Sequence, residues 1–347
     1  MAGTVARQNG GMPDTIPETM RALVIDKLGG ADELHLADVA VPLRIADELL
    51  VRVIAASVNP IDVKTRSGRG SSAAIASFPF IGGSDFSGVV VAVPYAKHPF
   101  PVGTPVFGMG RVPRVGGSFA EYLTVASTAV ALKPENLSHV EAAAVPVAAQ
   151  TAWGMVQLAE VGPGDRVLVH AGAGGVGHFA VQFAALAGAH VIATASGANA
   201  DFLRELGASE TIDYATQRFE EVASDIDVVI DLIGNVHDDT GTRSLEVLRD
   251  GGRLVNAPTG SWPTMQADAA ARGISATGYN VPADGRVLAE IAALLRSGAV
   301  RVHVDREFAL ADGADAQRAV EGGHVRGKVV IRVAEEPAAP TTTGDAR

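Results

Sequence analysis

The chain has 347 residues, with 28 Lys and Arg against 39 Asp and Glu, a formal net charge of −11; that balance excludes nucleic acid and anionic membrane surfaces as main partners. Cysteine is absent, which excludes disulfides, thiolate catalysis and every cysteine-ligated zinc or iron–sulfur centre. Hydrophobic residues make up 47% and charged residues 19%, a globular composition with room for two domains, and the most apolar run, 142–149, is too short for a bilayer span and carries Pro146.

Residues 1–19 hold Gly, Pro and polar side chains without an apolar centre, so they read as a disordered leader, not a signal peptide. A cytoplasmic location is the expectation. Strands are predicted at 21–25, 34–41, 48–58, 86–93, 104–107 and 120–125, separated by turns such as Leu28-Gly29-Gly30. No long amphipathic helix interrupts them, so this half is mostly β. Ser138 with Glu141 three residues on forms a capping-box pattern, opening an Ala-rich helix that carries Pro146 and leads into Gln150-Thr151-Ala152-Trp153. From Gly162 onward, strands at 166–170, 190–194, 210–212, 228–232, 253–256 and 274–277 alternate with helices such as 201–206 and 243–248. Such alternation predicts a doubly wound parallel sheet of α/β class. A helix at 287–297, a strand at 300–304, a short helix near 314–321 and a last strand at 328–333 then return to the β-rich style. The predicted division is a leader 1–19, a mostly β domain 20–145 resumed at 285–334, a nucleotide domain 146–284, and a disordered tail 335–347.

The chemistry centres on Val167-Leu168-Val169-His170-Ala171-Gly172-Ala173-Gly174-Gly175-Val176-Gly177, a strand, a glycine-rich turn and a helix starting near Val176. Gly172, Gly174 and Gly177 satisfy the dinucleotide pattern between two predicted strands. Glycines there let the backbone approach a pyrophosphate, which the helix N-terminus attracts. Gly174, Gly175 and Val176 are the residues expected to line it. An NAD site wants an acid about 20 residues past the turn for the ribose 2′-hydroxyl, whereas this chain has Thr194-Ala195-Ser196-Gly197. Without the acid, Ser196 and Gly197 leave room for a 2′-phosphate that Ser196 can donate to, so the expected cofactor is NADP(H).

Six motifs in order carry a family resemblance: Ser57-Val58-Asn59-Pro60-Ile61-Asp62, Phe78-Pro79-Phe80-Ile81-Gly82-Gly83-Ser84-Asp85, Gly117-Ser118-Phe119-Ala120-Glu121-Tyr122, Ala142-Ala143-Ala144-Val145-Pro146, the glycine turn, and Gly323-His324-Val325-Arg326-Gly327-Lys328-Val329-Val330. Over 20–333 the chain resembles the zinc-independent medium-chain dehydrogenase/reductases of the quinone oxidoreductase (zeta-crystallin-like) group. The resemblance implies a GroES-like, mostly β catalytic domain beside a Rossmann domain, with the active site between them. In zinc-dependent relatives the position matching Asn59 is a cysteine ligand and the pair matching Ser84-Asp85 is His-Glu; the residues present here cannot assemble that site, so no metal is expected.

By the same resemblance, Tyr214 packs on or bonds the 2′-phosphate, its other reading being a helix-edge aromatic with a satisfied hydroxyl. Relatives often place a Lys or Arg near Ala198 or Asn199, and this chain has neither. Thr151, Ile233, Ala257, Pro258, Tyr279 and Asn280 face the nicotinamide half, and Lys328 reaches the cofactor from the C-terminal segment. His170 and His324 lie near the cleft, each with a structural reading. Asn59 and Lys64 are the catalytic candidates, as donors to an oxygen on which negative charge develops; the other reading of Lys64 is a surface pair with Asp62. Asp62 and Asp85 are expected to brace loops. The cleft walls fall at 66–77, 111–116 and 279–284. The implied activity is NADPH-dependent hydride transfer to a quinone or an α,β-unsaturated carbonyl, a small-molecule substrate. Enoyl-thioester reduction and a non-catalytic NADPH-binding role stand as alternatives, and relatives often form homodimers through the edge of the Rossmann sheet.

Overall fold

The computed structural model describes residues 16–110, 113, 117–258 and 260–336. In chain order, β1 (Thr19–Ile25), β2 (His35–Ala40) and β3 (Glu48–Val58) precede helix α1 (Pro60–Arg66). Strands β4 (Phe80–Ile81), β5 (Asp85–Ala92), β6 (Pro105–Met109), β7 (Tyr122–Ala126) and β8 (Val130–Leu132) follow, then helices α2 (His139–Ala143) and α3 (Pro146–Leu158). The alternating part runs β9 (Arg166–Val169), α4 (Gly177–Leu186), β10 (His190–Ala195), α5 (Ala200–Glu205), β11 (Glu210–Asp213), α6 (Phe219–Val222) and β12 (Ile226–Asp231). It continues with α7 (Thr240–Val247), β13 (Leu248–Asn256), α8 (Met265–Ala270) and β14 (Ser275–Gly278). Helix α9 (Gly285–Ser297), β15 (Val304–Ala309), α10 (Gly313–Glu321) and β16 (Lys328–Arg332) complete it.

The six-stranded sheet has the order β11-β10-β9-β12-β13-β14 and is parallel throughout. Strand β9 reads Arg-Val-Leu-Val because both of its faces are covered. Val167 and Val169 enter one core with residues of α3 and α4, while Leu168 enters the opposite core with Leu245, Trp262 and Met265, as the two-residue period of a strand requires. Chain order reverses between β9 and β12, and that switch point opens a crevice at the carboxyl ends of the strands, where the glycine turn sits.

The second large sheet has the order β15-β16-β3-β5-β6-β8, with β7 also on β3. Its pairing of β16 with β3 sets Val329 opposite Val58 and Val330 opposite Ser57, so Lys328 falls beside Asn59 across 269 residues of sequence. Helix α9 places Leu288, Ile291, Ala292 and Leu295 in the same core as α3 and α4.

The structure corrects several sequence expectations. The single Ala-rich helix is two: Pro146 has no N–H to return to Ala142, and it restarts the chain as the first residue of α3. No strand covers 300–303, because the N–H of Arg301 goes to Gln182 Oε1 (2.7 Å) and that of His303 to His178 Nε2. The strand begins at Val304, on the sheet edge, where Asp305, Arg306 and Glu307 dilute the apolar pattern. Thr19, assigned to the leader, opens β1, and Glu336, assigned to the tail, accepts the His139 N–H at 2.7 Å. Residues 1–15 and 337–347, and the predicted cleft wall 111–116 apart from Pro113, lie outside the described residues. Among those described, no helix is long and apolar enough to cross a membrane.

Candidate active site

Asn59 ends β3 and caps α1, whose first residue is Pro60. Its backbone N–H goes to Asp62 Oδ2 at 2.8 Å, and its side-chain amide bridges two charged groups. Lys328 Nζ donates to Asn59 Oδ1 and to the Val58 carbonyl (3.2 Å), while Asn59 Nδ2 donates to Asp85 Oδ2 at 2.9 Å. Flanked by a cation at its oxygen and an anion at its nitrogen, the amide has one orientation. Asp85 also accepts Ser57 Oγ (2.6 Å) on Oδ2 and the Val147 N–H (2.8 Å) on Oδ1, which docks α3 on the cluster. Lys328 Nζ lies 3.5 Å from Asp85 Oδ2.

Asn59, Asp62, Asp85 and Lys328 are all buried, and burial shapes their titration. It pulls the Lys328 ammonium below its usual range, with Asp85 and Asp62 pushing back. It raises Asp62 to about 7, with Asp85 adding to the rise and the Asn59 N–H and Lys328 opposing it. Asp62 Oδ1 has no hydrogen-bond partner among the described residues. Arg66, at the other end of α1, bonds Gln317 Oε1 (2.7 Å), the Gly29 carbonyl (2.8 Å) and Glu321 Oε2 (3.1 Å), pinning α1 to α10.

Lys64 stands apart from this cluster. It is half-buried on α1, no hydrogen bond or ion pair holds its ammonium among the described residues, and Asp62 is engaged with Asn59. The surface pair with Asp62 does not form.

The glycine turn faces Lys328. A Cβ on Gly177 would lie 2.1 Å from the Ala171 carbonyl oxygen, one on Gly174 3.2 Å from that oxygen, and one on Gly175 3.1 Å from Lys328 Cδ. Gly177 has no room for a side chain and Gly174 and Gly175 little, while Ala171 takes the left-handed conformation at φ 50°. The N–H groups of Gly175 and Val176 have no acceptor among the described residues, which suits a pyrophosphate at the N-terminus of α4. Gly327 N–H donates to the Ala173 carbonyl at 2.8 Å, tying the C-terminal segment to the turn. His178, unmarked in the sequence reading, holds the turn from beneath: Nδ1 donates to the Gly174 carbonyl (3.0 Å) and Nε2 accepts from His303 N–H. Burial keeps its imidazole neutral, with a pKa near 4.

At the adenosine end, Ser196 closes β10 and its Oγ accepts from Asn199 Nδ2 at 3.0 Å, leaving its own proton free to donate. A Cβ on Gly197 would meet Asp213 Oδ2 at 2.7 Å. Tyr214 follows β11 with its N–H on the Ala195 carbonyl and its side chain 55% exposed, so an edge of the crevice is where it lies. The cation absent from the 198–199 sequence arrives through space: Arg326 Nε donates to Asn199 Oδ1 at 2.7 Å.

At the nicotinamide end, Asp231 is the organiser that sequence reading missed. Fully buried at the end of β12, it accepts the N–H groups of Ile233 (3.0 Å) and Gly234 (2.8 Å) and the Asn256 amide (2.7 Å). Ala257 N–H returns to the Asp231 carbonyl and Tyr279 N–H to the Asn256 carbonyl, so Ile233, Ala257, Pro258 and Tyr279 follow adjacent strand ends. An acid closing an otherwise apolar strand, Val-Val-Ile-Asp, is the signal that marks it. The Tyr279 ring lies against Gly154 of α3, and burial raises its phenol. Thr151, one turn earlier, bonds the Val147 carbonyl (2.6 Å), and Asn280 is exposed. His170 is structural: it contacts Thr194 Oγ1 and Ser244 Oγ between β9, β10 and α7. His324 is exposed at φ 60°.

Residues 45–135 match the family model described as "Alcohol dehydrogenase GroES-like domain", and residues 206–331 that of "Zinc-binding dehydrogenase". The chain is 34% identical over 329 residues to 2-methylene-furan-3-one reductase of Solanum lycopersicum, covering 91% of this chain and 80% of that protein. It is also 34% identical to the chloroplastic NADPH-dependent alkenal/one oxidoreductase of Arabidopsis thaliana, with the same coverage. The structure of the quinone oxidoreductase from Coxiella burnetii matches with a TM-score of 0.86 at 36% identity, over 91% of this chain and 99% of that one. Where zinc-dependent relatives carry metal ligands, this chain has Asn59, Ser84 and Asp85, and the Lys328 ammonium is bonded to Asn59 and lies 3.5 Å from Asp85. The chain belongs to the zinc-independent medium-chain dehydrogenase/reductases of the quinone oxidoreductase group.

Proposed function

We propose that this protein is an NADPH-dependent reductase of α,β-unsaturated carbonyl compounds and quinones. The observation that carries the reading is a buried amide, oriented by a cation and an anion, facing a bare-backbone dinucleotide turn. The names of the relatives, an alkenal/one oxidoreductase, a furanone reductase and a quinone oxidoreductase, support it. Bound NADPH supplies the hydride.

The chain's own residues supply position and charge. Gly174, Gly175 and Val176 hold the pyrophosphate, and Ser196, Gly197 and Tyr214 the adenosine end. Thr151, Ile233, Ala257, Pro258, Tyr279 and Asn280 line the nicotinamide half. One Asn59 N–H is held by Asp85; the second donates to the substrate oxygen as that oxygen gains negative charge. Lys328 spends its donors on Val58, Asn59 and Asp85, so it acts through Asn59 and through its field. Lys64, whose ammonium has no partner among the described residues, is able to swing to the substrate and give it a proton. A dry cleft strengthens each of these interactions.

The test is NADPH consumption against a panel of quinones, enones and enoyl thioesters, with Lys64→Met beside the parent. Turnover of the enone should fall about 10²-fold in the variant with cofactor affinity unchanged; full activity in the variant removes Lys64 from the chemistry. Binding of NADPH without turnover on any member of the panel would favour the non-catalytic reading. For assembly, β14 pairs only with β13 among the described residues, and we place a second copy at that edge; a monomer in light scattering would reject it.

A further inference from the structure

A dinucleotide site that accepts a 2′-phosphate needs a cation beside it, and the turn after β10 contributes none: Ser196, Gly197, Ala198 and Asn199 are uncharged. The Asp213 carboxylate also borders Gly197, so a phosphate dianion placed there without a counter-charge meets repulsion. Arg326 is brought to this turn from the other end of the chain. Its Nε donates to Asn199 Oδ1 (2.7 Å), one terminal nitrogen reaches the Ala198 carbonyl (3.4 Å), and the guanidinium lies over the Phe202 ring at 5.3 Å. Asn199 passes the contact on, donating to Ser196 Oγ at 3.0 Å. Nη1 has no acceptor among the described residues, and Arg326 borders a cavity of about 380 Å³ that Ala198, Phe202, Arg301 and His303 also line, with Asp201 and Glu205 as its carboxylates. A guanidinium fixed at its root, with donors to spare, is the group that recognises phosphate in a defined plane.

We infer that Arg326 is the residue that reads the 2′-phosphate of NADPH, acting from the C-terminal segment on the Ser196–Asn199 turn. The inference rests on the NADPH reading above and adds the residue responsible. It also makes the 326–328 segment an anchor at three points: Arg326 at the adenosine end, Gly327 on the Ala173 carbonyl, and Lys328 at Asn59.

The test is a set of dissociation constants, measured without turnover by fluorescence or calorimetry. The ligands are NADPH, NADH, and the pair adenosine 2′,5′-bisphosphate and 5′-AMP. In Arg326→Gln, NADPH and the bisphosphate should weaken about 10- to 100-fold, while NADH and 5′-AMP stay within about twofold, and Arg326→Lys should recover part of the loss. Raised salt should weaken NADPH in the parent more than in Arg326→Gln. If Arg326→Gln keeps the parent's preference for the 2′-phosphate, the inference is overturned while the NADPH reading stands. Equal loss of all four ligands would make Arg326 a tie for the turn and nothing more. A parent that binds NADPH and NADH alike would sink the NADPH reading itself.

Discussion

Asp62 is a buried acid beside Asn59 with one oxygen that no donor among the described residues reaches, and burial first, then Asp85, raises it to about 7. In the unfolded chain an aspartate ionises near 4. Between roughly pH 4 and pH 7 the native state therefore holds a proton that the unfolded state has released, and stability from this residue declines as pH rises through that window. The full effect is roughly 4 kcal/mol. Asp62→Asn retains an acceptor for the Asn59 N–H and does not ionise. Thermal melts should show the variant gaining on the parent between pH 5 and pH 8; a difference that stays constant across that range contradicts the burial account. From the sequence, Asp62 is expected only to brace a loop. Its charged neighbours come from β5, where Asp85 lies 23 residues on, and from β16, where Lys328 lies 266 residues on, and no local pattern encodes that.

At the scale of elements, β9, the glycine turn and α4 form the unit most legible beforehand. Apolar runs, glycine spacing and the following helix all concern neighbours in sequence, and the structure keeps each of them. A Cβ on Gly177 would meet the Ala171 carbonyl oxygen at 2.1 Å and Gly172 Cα at 2.8 Å. These are backbone atoms that cannot turn aside. Gly177→Ala should cost about 1–3 kcal/mol of stability and weaken NADPH at least about tenfold by shifting the turn. Gly162→Ala, where nothing lies within 4 Å, is the control and should stay within about 0.5 kcal/mol. Equal behaviour of the two variants in calorimetry and cofactor titration would show that the turn has slack. Short or edge elements are less legible: β4 and β8 have two and three residues, and α1 has no counterpart among the predicted helices, although Pro60 and Asp62 are its opening signals.

For the whole molecule, the deciding contacts join distant parts of the chain. Asp85 on β5 holds both Asn59 and the first turn of α3, while β16 carries Lys328 to the one and the segment just before it brings Arg326 to the 198–199 turn. The motifs point to the family because each is local; the division of labour between Lys64 and Lys328 is not local, and sequence alone places both lysines without saying which one is buried. The measurement that tests the central claim most directly is incubation with NADPH deuterated at the transferring carbon and a simple enone, with mass analysis of the product. The account predicts a saturated ketone with one deuterium at the carbon β to the carbonyl. An allylic alcohol deuterated at the carbonyl carbon, or no deuterium in any product while NADPH binds, would contradict it.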